Sequence, residues 1–142
     1  MSNMVALLPP SGNSSPSRPH CLIVEDQVLV ALSIEAYLEE TGFEIEGPIR
    51  SGSEALFWLR AHTPQAVILD YGLADGSCTA LARELRRRDI PFLVYSGYRL
   101  GSDLPLELHG VPWIEKPCRR EELMTALQTI LVGHVRASIG FA

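Results

Sequence analysis

The stretch Ala66-Val67-Ile68-Leu69-Asp70 decides the fold. Its unbroken apolar run, with β-branched Val67 and Ile68 at the centre, fits a strand buried on both faces of a parallel sheet. A carboxylate occupies the last position, and Gly72 and Gly76 come closely after it. In open α/β sheets the ligand crevice lies just outside the carboxyl ends of the strands. Asp70 is therefore expected at that rim, on rigid support beside a glycine-containing loop. A nucleophile or a metal ligand belongs there.

Working outward, the same signature repeats. His20-Cys21-Leu22-Ile23-Val24 reads as a short apolar strand ending in Glu25-Asp26. Residues 27–40 read as a helix, with Val30, Ile34 and Leu38 at fourfold spacing and Thr41-Gly42 as its stop. Residues 43–49 form a second strand, Phe43, Ile45 and Gly47 facing away from Glu44 and Glu46. A second helix is expected over 54–61, with Ser53 as N-cap, Leu56 and Leu59 inside, and Pro64 closing the segment. Beyond the central strand, 77–88 reads as a helix that buries Leu81 and Leu85 and turns its arginines outward. Ile90-Pro91-Phe92-Leu93-Val94-Tyr95 is the fourth strand and runs into Ser96-Gly97. Gly101, Pro105 and Gly110 interrupt the segment over 98–110, so the fourth helix is expected to be short or irregular. Val111-Pro112-Trp113-Ile114-Glu115 is the fifth strand, its early proline suited to a sheet edge, and it ends in Lys116-Pro117. The last helix starts near Arg119, carries Glu121 and Glu122 in its first turn, and buries Leu123, Leu127, Ile130 and Leu131.

Strands alternating with helices predict an α/β fold, a doubly wound five-stranded parallel sheet in the order 2-1-3-4-5. One domain over residues 20–138 accounts for these elements; residues 1–19, with Pro9, Pro10, Pro16 and Pro19 among Ser, Asn and Gly, read as a disordered N-terminal tail.

The composition narrows the function. Hydrophobic residues make up 46% of the 142, enough for a real core, and the formal charge of −5 argues against a nucleic-acid backbone as main partner. The cluster Arg86-Arg87-Arg88 reads as a solvated helix face. No apolar run approaches the roughly 20 residues needed to span a bilayer, and the first ten residues lack the positive region of a secretory signal. Cys21, Cys78 and Cys118 are far apart with no C-x-x-C spacing, which fits a reducing cytoplasm and buried or half-buried thiols. His20, His62, His109 and His134 share no metal spacing and read as exposed or structural.

The predicted order brings the ends of strands one, three, four and five to one crevice, where Glu25, Asp26, Asp70, Ser96 and Lys116 converge. Carboxylates about 4 Å apart repel by roughly 1 kcal/mol per pair in water and by about 4 kcal/mol at an effective dielectric of 20. Lys116 offsets only part of that charge. A divalent cation resolves the rest, and Mg²⁺ favours one or two carboxylates together with waters and phosphate oxygens. Asp70 is then placed to act as a carboxylate nucleophile toward a phosphoryl group, forming an aspartyl phosphate. Ser96 and Lys116 complete the cage around the phosphoryl oxygens.

This set resembles the receiver domain of bacterial two-component response regulators, the CheY-like branch of the flavodoxin-like fold. The resemblance covers about residues 21–131 and rests on Glu25-Asp26, Asp70, Ser96-Gly97 and Lys116-Pro117, each placed after its own strand in the family's order and intervals. It implies Mg²⁺-dependent transfer of a phosphoryl group to Asp70 from the phosphohistidine of a histidine kinase or histidine phosphotransfer protein. Asp26 and Asp70 would bind the metal directly, with the backbone carbonyl of Gly72, and Glu25 would act through water. Ser96 and Lys116 would contact the phosphoryl group. Trp113, three residues before the lysine, holds the family's aromatic switch position, and Tyr98, two after Ser96, a position that influences how water reaches the acyl phosphate. The chain reads as a stand-alone receiver, or one excised from a larger regulator, signalling through a downstream protein or serving as a phosphorelay intermediate or phosphate sink. Neither direct nucleic-acid contact nor membrane insertion is expected, and no catalysis beyond its own phosphorylation and dephosphorylation.

Ala74 stands where the family usually has proline, and Cys78 where glycine is common; both bear on the stiffness of the loop after Asp70. A haloacid-dehalogenase-like phosphohydrolase would carry a second acid two residues after its nucleophile, where this chain has Gly72. A flavodoxin-like FMN site would offer hydroxyls and N–H groups to phosphate in the first loop, where Glu25-Asp26 would repel it. A receiver-like module that has lost phosphorylation is disfavoured by the intact acceptor set.

Overall fold

Strand β3 (Ala66–Leu69) is buried along its whole length, as its apolar run predicts. The computed structural model describes residues 18–97 and 104–138. Around β3 lie β1 (His20–Val24), β2 (Glu44–Ile49), β4 (Phe92–Ser96) and β5 (Trp113–Glu115), all pairing in parallel, in the spatial order β2-β1-β3-β4-β5. The five-stranded sheet and its order are those the sequence predicts.

Alternation along the strands sends side chains to two cores. Leu22, Val24, Val67, Leu69, Phe92 and Val94 meet Ala55 and Leu59 of α2 (Gly52–Leu59) and Leu81, Ala82 and Leu85 of α3 (Thr79–Arg87). On the other face, Cys21, Ile23, Ala66, Ile68 and Leu93 meet Ala31, Ile34 and Leu38 of α1 (Val28–Glu40) and Leu123 and Leu127 of α4 (Arg120–Ser138). Each fully buried Leu or Ile contributes roughly 1.5–3 kcal/mol relative to exposure, so burial of the β1–β3–β4 centre contributes heavily to the stability of the described residues. The crevice opens above it.

Local details correct the sequence reading. The N-cap of α2 is Ser51, not Ser53: its side chain accepts the Glu54 N–H at 3.1 Å. The N–H groups of Gly52 and Ser53 go to the carboxylate of Asp75, at 2.9 and 3.0 Å, so the helix begins two residues before 54. Ser77 belongs to a small antiparallel hairpin, Gly72–Leu73 against Gly76–Ser77, and α3 starts after it. Ile130 and Leu131 are only partly buried at the rim of their core. The fourth strand begins at Phe92 and the fifth at Trp113, since Pro91 and Pro112 lack the N–H a ladder needs; their carbonyls receive Val67 N–H and Val94 N–H instead.

Between β4 and β5 the described residues hold one 3₁₀ turn, Leu106–Leu108, in agreement with a shortened fourth helix. Arg86 and Arg87 are exposed, as a solvated face requires, but Arg86 and Arg88 also reach neighbouring segments. Arg86 donates to the carbonyls of Glu107 and His109, and Arg88 to the carbonyls of Leu59 and His62 and to the Thr63 hydroxyl. Arg83 adds an ion pair to Glu107 at 2.9 Å. The basic side chains of α3 and its C-cap thus tie down their neighbours. At the other end, the Pro19 carbonyl accepts the Glu44 N–H at 2.9 Å, so the chain is joined to the β2 edge just before β1. Residues 1–17 of the expected tail lie outside the described residues.

Candidate phosphoacceptor site

Glu25, Asp70 and Lys116 are each the first residue past a strand, and each N–H is held by a neighbouring strand. Glu25 N–H donates to the Ile49 carbonyl at 2.8 Å, Asp70 N–H to that of Val24 at 3.0 Å, and Lys116 N–H to that of Ser96 at 2.9 Å. The side chains therefore leave the sheet at one level. Together Asp26, Gln27, Asp70, Gly72, Leu73, Ser96, Gly97 and Lys116 line an open cavity of about 320 Å³.

The ammonium of Lys116 bridges two carboxylates, 2.7 Å from Glu25 Oε1 and 3.1 Å from Asp70 Oδ2. The second oxygen of Glu25 accepts the Gln27 N–H at 3.1 Å. Both oxygens of Glu25 are thus engaged, which favours a role one shell out from any metal. Glu25 and Asp70 are buried and Asp26 is half-buried, and the three offer carboxylate oxygens that all lie within 4.8 Å of one another. An all-oxygen set carrying more negative charge than one lysine balances suits Mg²⁺ in donor type and charge.

Burial pushes the Glu25 carboxyl up to about 7, against the opposing pull of Lys116 and the Gln27 N–H. Burial would lower the Lys116 ammonium, but its hydrogen bonds to Glu25 and Asp70 outweigh that and hold it above its ordinary value. Cys78 lies below the site, where burial, reinforced by the Asp70 charge, pushes its thiol up to about 12. It is a neutral neighbour and not a competing nucleophile.

Ser96 is fully buried at the end of β4. Trp113 is half-buried over the α2–α3 core, its ring centroid 5.5 Å from that of Tyr71 and tilted by 46°. Tyr98 lies outside the described residues. Of the expected site residues, the fold thus gathers Glu25, Asp26, Asp70, Gly72, Ser96 and Lys116 around one cavity and sets Trp113 beside it. Sequence reasoning missed Gln27 and Tyr71, although each comes directly after a residue of the acidic set.

The sequence profile of the response regulator receiver domain family matches residues 21–128. The chain belongs to that family. This receiver is 27% identical over 114 residues to the transcriptional regulatory protein PhoP of Escherichia coli, a match covering 78% of the chain and 51% of PhoP. It spans about half the length of the curated relatives it matches. Among solved structures it resembles a CheY-like receiver domain from Methylobacillus flagellatus at 32% identity and a TM-score of 0.68, over 80% of this chain and 99% of that one. The receiver domain of a putative LuxO repressor protein from Vibrio parahaemolyticus shares the fold, at 24% identity and a TM-score of 0.74 over 86% and 96% of the two chains. No helix among the described residues of the receiver is long and apolar enough to cross a membrane.

Proposed function

We propose that this receiver accepts a phosphoryl group on Asp70 from the phosphohistidine of a histidine kinase or histidine phosphotransfer protein, in a Mg²⁺-dependent reaction. The observation that carries this reading is the Lys116 ammonium shared between Glu25 and Asp70 at the floor of an open, oxygen-lined cavity. An Asp70 oxygen attacks phosphorus, the bond to the donor's imidazole nitrogen breaks, and its electron pair stays on the imidazole. Lys116, already beside the Asp70 carboxylate, moves with the new charge onto a phosphoryl oxygen, and the Ser96 hydroxyl donates to another. Asp26 and Asp70, with the Gly72 carbonyl, would hold the cation directly, and Glu25 would act through water. A cation held there would supply charge neutralisation for the transferring oxygens. The chemistry ends at the receiver's own phosphorylation and dephosphorylation, within a unit spanning residues 20–138.

Output arises from the added charge, roughly −1.5 to −2, at the head of a packed sheet. Ser96 turning toward the phosphoryl group vacates space that Trp113 fills, a bistable element read by a downstream protein or used in a phosphorelay or phosphate sink. The test is labelling by acetyl phosphate with MgCl2, then phosphate-affinity electrophoresis. Wild type should shift, and neither Asp70→Asn nor wild type in EDTA should. Undiminished labelling of Asp70→Asn would overturn the assignment.

A further inference from the structure

Gln27 occupies the N-cap of α1 yet makes no capping hydrogen bond through its side chain. Its carboxamide oxygen instead lies 3.4 Å from the Lys116 ammonium, on the solvent side of the site. Glutamine is a poor N-cap, so the helix itself gives no reason for this residue type. The cavity does. Among its lining residues, Asp26 and Asp70 are spoken for by metal and phosphoryl chemistry, and Ser96 and Lys116 by phosphoryl oxygens; Gly72, Leu73 and Gly97 have no polar side chain. Among the described residues that line the cavity, Gln27 is the remaining side chain that both donates and accepts hydrogen bonds, and it is exposed at the mouth.

Resting on the phosphoacceptor reading, we infer that Gln27 positions the water that hydrolyses the phosphorylated Asp70. Once Lys116 has moved to a phosphoryl oxygen, the Gln27 carboxamide oxygen that faced it is released to accept one proton of a water. The water oxygen attacks phosphorus from the side opposite Asp70, and the bond from phosphorus to the Asp70 oxygen breaks. The electron pair returns to the carboxylate, and the displaced proton leaves on inorganic phosphate. A neutral amide suits this place, because another carboxylate would add repulsion and another ammonium would compete with Lys116. Orientation of water by a glutamine is an established device in phosphoryl-transfer proteins.

The experiment measures loss of label after acetyl phosphate is removed by rapid desalting, in wild type, Gln27→Ala and Gln27→Met. Methionine keeps the length of the side chain and removes the amide. Both variants should lose phosphate about tenfold more slowly, since an exposed amide holds water less firmly than a buried base and its effect falls below the usual range for such groups. Labelling by acetyl phosphate should not slow in either, which also reports that they fold. Wild-type lifetimes in both variants would overturn the inference, as would slowing in Gln27→Ala alone, where bulk and not the amide would be the cause. Parallel slowing of labelling and hydrolysis would also overturn it, by pointing to a displaced Lys116. Absence of label on wild type would sink the phosphoacceptor reading itself.

Discussion

Within the site, Glu25 is a carboxyl whose chemistry the fold alters strongly. Buried behind Lys116, its carboxyl rises from an ordinary 4.5 to about 7. A carboxyl raised in the folded state favours the protonated form there, so its stabilising contribution is complete below about 4.5 and is lost as pH climbs through about 7. Glu25→Gln cannot ionise and escapes that loss. In urea titrations with EDTA, the stability of Glu25→Gln relative to wild type should therefore rise between pH 4.5 and pH 7.5 and then level off. A difference that stays flat across that range would refute the burial argument. Glu25, Asp26, Asp70, Ser96 and Lys116 are legible as site residues because each lies at the end of a recognisable strand. The Lys116–Glu25 contact is not legible, because it joins side chains 91 positions apart whose distance depends on register between strands. Gln27 is hidden for another reason: nothing in its type or position marks it as a site residue, and only the direction of its side chain reveals the cavity.

At the scale of elements, β2 depends on one glycine. Gly47 has a φ of +93°, and a Cβ there would sit 2.8 Å from the Ile23 carbonyl oxygen and 2.9 Å from the Ile49 nitrogen, both backbone atoms. The β1–β2 register shifts at this point, between Leu22 and Val24, so the strand needs a conformation and a closeness that a side chain denies it. Gly47→Ala should lower unfolding stability by about 1–3 kcal/mol, seen as a lower denaturant midpoint at unchanged slope. An unchanged midpoint would show that the strand relaxes freely. The alternation of Phe43, Ile45 and Gly47 against Glu44 and Glu46 can be read from the sequence, but not this shift, since a period of two carries no sign of where it breaks. The cap of α2 escapes a sequence reading for a related reason. Asp75, far along the chain, takes the helix's first N–H groups, and its hydrogen bonds from Gly52 and Ser53 hold its carboxyl below the ordinary range. Through the same contact the loop after Asp70 is fastened to α2, a restraint suited to a chain with Ala74 in place of the family's proline.

At the scale of the whole molecule, four of the five strands deliver acidic, hydroxyl or ammonium side chains to the carboxyl end of one sheet, while two apolar cores beneath hold those strand ends in register. This much is visible in the sequence, because buried parallel strands read as apolar runs whose carboxyl ends lead straight into the site residues. The exposure of the arginines at the end of α3 is legible, but their partners are not, because charge on a helix surface carries no mark of what lies across from it; here Arg86 and Arg88 bind the carbonyls that end α2 and the 3₁₀ turn before β5. Packing of Tyr71 on Trp113 joins the loop after Asp70 to the edge strand β5. All of this turns on where phosphorus becomes attached. The most direct measurement is to phosphorylate the full chain with acetyl phosphate and Mg²⁺, trap the acyl phosphate by borohydride reduction, and map the modified peptide by mass spectrometry. The account predicts modification at Asp70 alone, abolished by EDTA. Modification at Glu25, Asp26 or any other carboxylate, with Asp70 left intact, would contradict it.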